Sequence, residues 1–183
     1  MSINRRNHNR LLKTLALVFA SLFGAVLVAP SAQAEYLGRN LIESIDQPGQ
    51  CLTAGDWVVS MSPCDPNFNN SRQKWVVNSI GTSDGHDLVQ IRSDHHNRYI
   101  SAWYVQNMLG GGIKVALTAG ADSRATLGGL GADWQDVRLE AYGSWTNFSH
   151  ACIDSRNVYA ATTCYSDHYA YTPHRWKFTR QYL

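Results

Sequence analysis

Between Cys152 and Trp176 the chain reads "CIDSRNVYAATTCYSDHYAYTPHRW". Two cysteines, an acid two residues after the first of them, and a run of tyrosines share this short stretch. Such residues serve a metal cage, acid–base catalysis, or a surface that grips a polar ligand. A metal cage needs convergent His, Cys or carboxylate ligands. Beyond residue 34 the histidines show no H-x-x-x-H spacing and the cysteines no C-x-x-C, and the adjacent His95 and His96 would point to opposite faces of a strand. There is no G-x-S-x-G elbow, no phosphate-cradling glycine loop, and no pair of carboxylates set as acid and nucleophile. The stretch therefore reads as a gripping surface, with no metal, no cofactor and no enzymatic centre. Asp154 would accept hydrogen bonds and the tyrosine rings would offer flat apolar faces.

The elements that must position these residues begin after an N-terminal leader. "MSINRRNHNRLLK" is a basic n-region, "TLALVFASLFGAVLVA" an apolar h-region, and "SAQA" an A-x-A ending at Ala34. This predicts a signal peptide over residues 1–34, one domain over 35–183, and a secreted product. No second apolar run approaches the roughly 20 residues that span a bilayer, so no membrane insertion is expected. The formal charge is +2, but four of the 16 Lys+Arg lie in the leader and all 14 acids follow it. The balance over residues 35–183 is 12 − 14 = −2. That balance offers no electrostatic footprint for nucleic acid.

Cys51, Cys64, Cys152 and Cys164 all follow the leader, and an even count in an oxidising compartment reads as two disulfides. An internal repeat selects the pairing. "QCLTA" (50–54), "RYISA" (98–102) and "ACIDS" (151–155) align, as do "VVSMSPCD" (58–65), "VALTAGAD" (115–122) and "VYAATTCY" (158–165). Trp75, Trp134 and Trp176 are expected to close the three copies as core residues. In the middle copy Tyr99 and Ala121 replace both cysteines together, which predicts Cys51–Cys64 and Cys152–Cys164. The segments are short, rich in Val, Ile, Tyr and Trp, and divided by turn residues, as strands are. Three units of roughly 50 residues predict a closed all-β fold with pseudo-threefold symmetry.

"CLTA", "VVSMSPC" and "RQKWVV", with Gln73-Lys74-Trp75, resemble a repeat of the ricin-B-type (R-type) lectins, whose repeats end in Q-x-W. "CIDS…NVY…C…W" resembles the short-loop, actinohivin-like members. The resemblance covers most of residues 40–183 and is carried by the first and third copies. Only the first copy keeps the Gln; Ala132-Asp133 precede Trp134 and His174-Arg175 precede Trp176. The resemblance implies a β-trefoil that binds glycans through shallow pockets and is not an enzyme. In such lectins the acid two residues after the first Cys accepts bonds from two sugar hydroxyls, and an aromatic ring covers the sugar's apolar face. Only the third copy has that acid, Asp154; Thr53 and Ser101 hold its place elsewhere. The implied carbohydrate site is Asp154, Asn157, Tyr159 and Tyr165, walled by Tyr169, Tyr171 and His174. Asp65 and Asp122 stand where the third copy has Tyr165. Asp154 as an Asx-turn residue and Tyr159 as a core residue are the structural alternatives. Two functional alternatives stand beside glycan binding. One is a cell-binding or scaffolding subunit of a toxin or secreted complex, with a partner toxin or enzyme subunit. The other is a β-trefoil enzyme inhibitor.

Overall fold

The computed structural model describes residues 36–107, 110–130, 134–142, 151–164 and 171–182. The expected signal peptide, Tyr165 and Tyr169 lie outside them. Among the described residues the fold is all-β, with three short 3-10 turns and no α-helix. The strands are β1 (Gly38–Ser44), β2 (Gln50–Ala54), β3 (Val59–Pro63), β4 (Trp75–Ser83), β5 (His86–Ser93) and β6 (Arg98–Asn107). They continue as β7 (Gly110–Thr118), β8 (Leu127–Leu130), β9 (Val137–Ala141), β10 (Ala151–Ile153), β11 (Ala160–Thr163) and β12 (Arg175–Arg180).

All pairings are antiparallel and form one large sheet. β1, β4, β5, β8, β9 and β12 pair in that order, and β12 returns to β1, so six strands form a closed ring. The hairpins β2–β3, β6–β7 and β10–β11 join this ring at β1, β5 and β9. Closure leaves the ring itself without a free edge, while β3 pairs only with β2 among the described strands. Side chains alternate across each strand, so Val77, Val89 and Ile91 face one interior with Ile42, Leu127, Leu139, Trp75, Trp176 and Phe178.

Cys51 bonds Cys64 and Cys152 bonds Cys164, each across one hairpin, with Cα separations of 4.9 and 5.1 Å. Replacing Cys51 and Cys64 together with serine should lower stability by about 3 kcal/mol, because a closed loop of this length removes that much chain entropy from the unfolded state. Urea unfolding measures it; an unchanged midpoint would contradict a structural role for the bridge.

Strand register corrects two sequence placements. Cys51 faces Ser62, Cys152 faces Thr162, and Tyr99 faces Thr118. Gly120, two residues past Thr118, therefore holds the place of Cys64, one residue earlier than Ala121. The closing position also differs. The 3-10 turns Ser71–Gln73, Ser123–Ala125 and Thr172–His174 each lead into a ring strand, and the buried residues two positions on are Trp75, Leu127 and Trp176. Leu127, not Trp134, fills the middle place. That place requires bulk, which leucine supplies without the visible signature of tryptophan. Trp134 is also buried, but it stacks on Tyr36 at 3.9 Å and meets Phe178 edge-on at 4.7 Å. Gly129 lies against its ring, where an added Cβ would come within 2.6 Å.

Candidate functional site

β10 ends at Ile153, and the chain turns sharply at Asp154, which is 5% exposed. One carboxylate oxygen builds the turn: Oδ1 accepts from the Arg156 backbone N–H at 2.8 Å, while the Asp154 carbonyl accepts from Asn157 N at 3.2 Å. The other oxygen faces side chains. Oδ2 accepts from the Tyr171 hydroxyl at 3.3 Å and lies 3.8 Å from His174 Nε2. His174 Nε2 is 2.8 Å from Thr162 Oγ1. Asp154 is thus an Asx-turn residue and a site residue at once, one oxygen serving each role. Among the described residues, Asp154, Thr162, Thr163, Cys164 and Tyr171 line an open depression of about 520 Å³.

Tyr171 owes its position to an exchange at the third 3-10 turn. Asn70 and Asp122 precede the first two turns, and their side chains accept from Arg72 N and Arg124 N. Tyr171 stands in that capping place but makes no side-chain cap bond. Pro173 lies within the first turn, where its fixed φ suits a helical start. The tyrosine is released to face Asp154, its ring edge-on to His174 at 4.5 Å. Arg156 lies over the same ring at 5.8 Å and binds both Asp46 oxygens at 2.9 Å. Asp46 also accepts from Thr172 Oγ1 at 2.8 Å, and the Arg156 bond holds its carboxyl below the usual range.

The other hairpins close the corresponding place with neutral groups. Thr53 Oγ1 and Ser62 Oγ are 2.6 Å apart, and Gln73 Nε2 donates to both as well as to Pro63 O. Ser101 Oγ and Thr118 Oγ1 are likewise 2.6 Å apart. His174 occupies the place of Gln73, and Asp154 that of Thr53. Asp65 and Asp122 build turns instead. Asp65 accepts from Asn70 N at 2.6 Å and from Asn67 N at 3.0 Å, and the Asn70 bond lowers its pKa most. Asp122 binds Arg124 and corresponds to Asn70, not to Asp65.

The chain matches no known family model and no curated protein.

Of the expected site residues, the fold brings together Asp154, Tyr171 and His174. His174 is a buried support beneath the depression rather than a wall, because Thr162 and Asp154 close over it. Asn157 lies exposed in the Asp154 turn. Tyr159 is 52% exposed, so it is not a core residue; its neighbour Val158 is buried instead. Tyr159 is not among the lining residues, and its carbonyl accepts from Val115 N at 2.9 Å. Thr162 and Thr163 were hidden in "AATTC" as ordinary strand residues. The signal that finds Thr162 is a hydroxyl two residues before the cysteine place, at Ser62, Thr118 and Thr162. Glu140, Cys152 and Cys164 cluster within 4.8 Å, but both sulfurs belong to a disulfide and the carboxylate binds Arg138 and His86.

Burial pushes the His174 pKa below its ordinary value of 6.5, and Arg138 adds to this, while Asp154 and Glu140 oppose it. The sign follows from proton uptake. As pH falls through 6.5 the unfolded imidazole gains a proton before the folded one does. The stability contribution is full above that value and is lost as pH falls toward the folded pKa. His174→Gln, which installs the side chain of Gln73, should flatten this part of a melting-temperature profile. A profile as steep as wild type below pH 6.5 would contradict it.

Proposed function

We propose that the chain is a secreted β-trefoil that binds a saccharide at the Asp154 depression and catalyses no reaction. One observation carries the reading: a carboxylate oxygen, a tyrosine hydroxyl and two threonines converge on an open, shallow depression. A sugar offers polar edges for such groups and a C–H face that a tyrosine ring covers. The six-stranded ring, its three hairpins and the matched hydroxyl pairs of the first two support the trefoil of three related units. The two disulfides and the expected leader support export into an oxidising compartment.

One shallow site should bind a simple sugar with Kd around millimolar, about −4 kcal/mol. Tighter attachment would come from several sites or an oligomer. A glycan array on the chain after leader removal, with Thr53→Ala, Ser101→Ala and Asp154→Ala beside wild type, tests the reading. The first two variants should keep the wild-type pattern and the third should lose it. A second reading is a cell-binding or scaffolding subunit of a toxin or secreted complex. The exposed Trp57, Val58 and Tyr159 favour it as apolar contact surface. An empty array, together with a co-purifying protein partner, would put that reading first.

A further inference from the structure

A second depression, of about 510 Å³, lies on the outer face of the six-stranded ring and gathers three arginines. Trp75 and Val77 point inward on β4, so Val76 between them points out. Arg39 on β1 and Arg92 on β5 stand in register on either side of Val76. Arg180 enters from the end of β12, next to Asn40 in register. All three are half-buried, so their stems are fixed by the sheet. One acid shares the depression: Asp94 accepts from Arg39 Nε at 2.9 Å. Arg92 donates to the neutral Asn97 side chain, and Arg180 lies 5.5 Å from the Tyr182 ring. Among the described lining residues, three guanidinium groups stand with one carboxylate.

We propose that this depression binds the anionic group, sulfate or carboxylate, of an acidic saccharide. Guanidinium is the side chain that matches such oxyanions with paired N–H donors, and arginine rather than lysine stands at all three places. The lining residues form one compact depression, so the ligand named is a short acidic saccharide. The exposed Tyr182 ring stands at the rim, where it can cover a sugar's C–H face. The proposal is independent of the Asp154 site, which lies at the third hairpin and not on these ring strands.

The test titrates the exported chain at low ionic strength with a sulfated disaccharide, a glucuronate-bearing disaccharide, their neutral counterpart, inorganic sulfate and a single-stranded DNA oligomer. The acidic disaccharides should bind saturably and the neutral one should not compete. Arg92→Gln and Arg180→Gln should each weaken binding about tenfold, as loss of a charged hydrogen-bond partner does. Asp94→Asn should strengthen it, with thermal melts confirming that each variant is folded. The proposal is overturned by absence of saturable binding, or by folded arginine variants that bind like wild type. It is also overturned by inorganic sulfate binding as tightly as the disaccharides, or by DNA binding more tightly.

Discussion

Replacing Trp176 with alanine should destabilise the fold by about 3–5 kcal/mol, and Trp75→Ala should do the same. Both side chains are 0% exposed. Each indole N–H also ties a ring strand to a hairpin: Trp75 donates to Leu52 O at 2.9 Å and Trp176 to Ile153 O at 3.2 Å. Truncation would open a large cavity and leave a buried carbonyl without its donor. Leu127→Ala should cost about 2–5 kcal/mol, since leucine fills the same place with less volume and no donor. Urea unfolding followed by far-ultraviolet circular dichroism measures all three without relying on tryptophan emission. A loss below about 1 kcal/mol at either tryptophan would mean that these residues do not hold the interior together.

Glu140→Ala should be as damaging for a different reason. Glu140 is 1% exposed on β9 and binds Arg138 through Nε at 2.8 Å and Nη2 at 2.6 Å, with His86 Nε2 at 3.2 Å from its other oxygen. Removing it takes the carboxylate away from the buried Arg138 guanidinium, an effect of about 3–5 kcal/mol. Replacing both charges, with Arg138→Met and Glu140→Leu, should recover at least half of that loss, because no charge of the pair then remains to be desolvated. If the double variant is less stable than Glu140→Ala, the pair is stabilising in its own right and this reasoning is wrong.

These residues also show where the sequence was legible. The disulfides were readable because both cysteine places vanish from the same copy, a pattern that local bonding explains. The closing tryptophans were readable twice and misleading once. Trp134 carried the expected residue type, while Leu127 carried the expected position, after a turn that Asp122 caps as Asn70 caps its own. β9 misleads in another way. "VRLEA" alternates like a strand with one wet face, yet all five residues are buried. Its charges can be inside because Arg138 and Glu140 pair with each other, and His86 reaches the same carboxylate because β5 and β9 meet through β8. At the site, C-x-D spacing located Asp154, because a hairpin's first strand fixes where the acid emerges. The support from His174 was not legible. It requires the third 3-10 turn to fold back against Thr162, a contact that no local pattern encodes.

Isothermal titration of the best array ligand into wild type and Asp154→Asn is the most direct measurement. The amide keeps the size and a turn-forming oxygen, so the backbone at Arg156 should remain in place. It removes the charge that, in the proposed site, would hold sugar hydroxyls. The expected result is a loss of about 1.5–3 kcal/mol of binding free energy, enough to erase a millimolar signal, with the melting temperature nearly unchanged. Wild-type affinity in a folded Asp154→Asn protein would contradict the central claim and move the ligand away from the third hairpin.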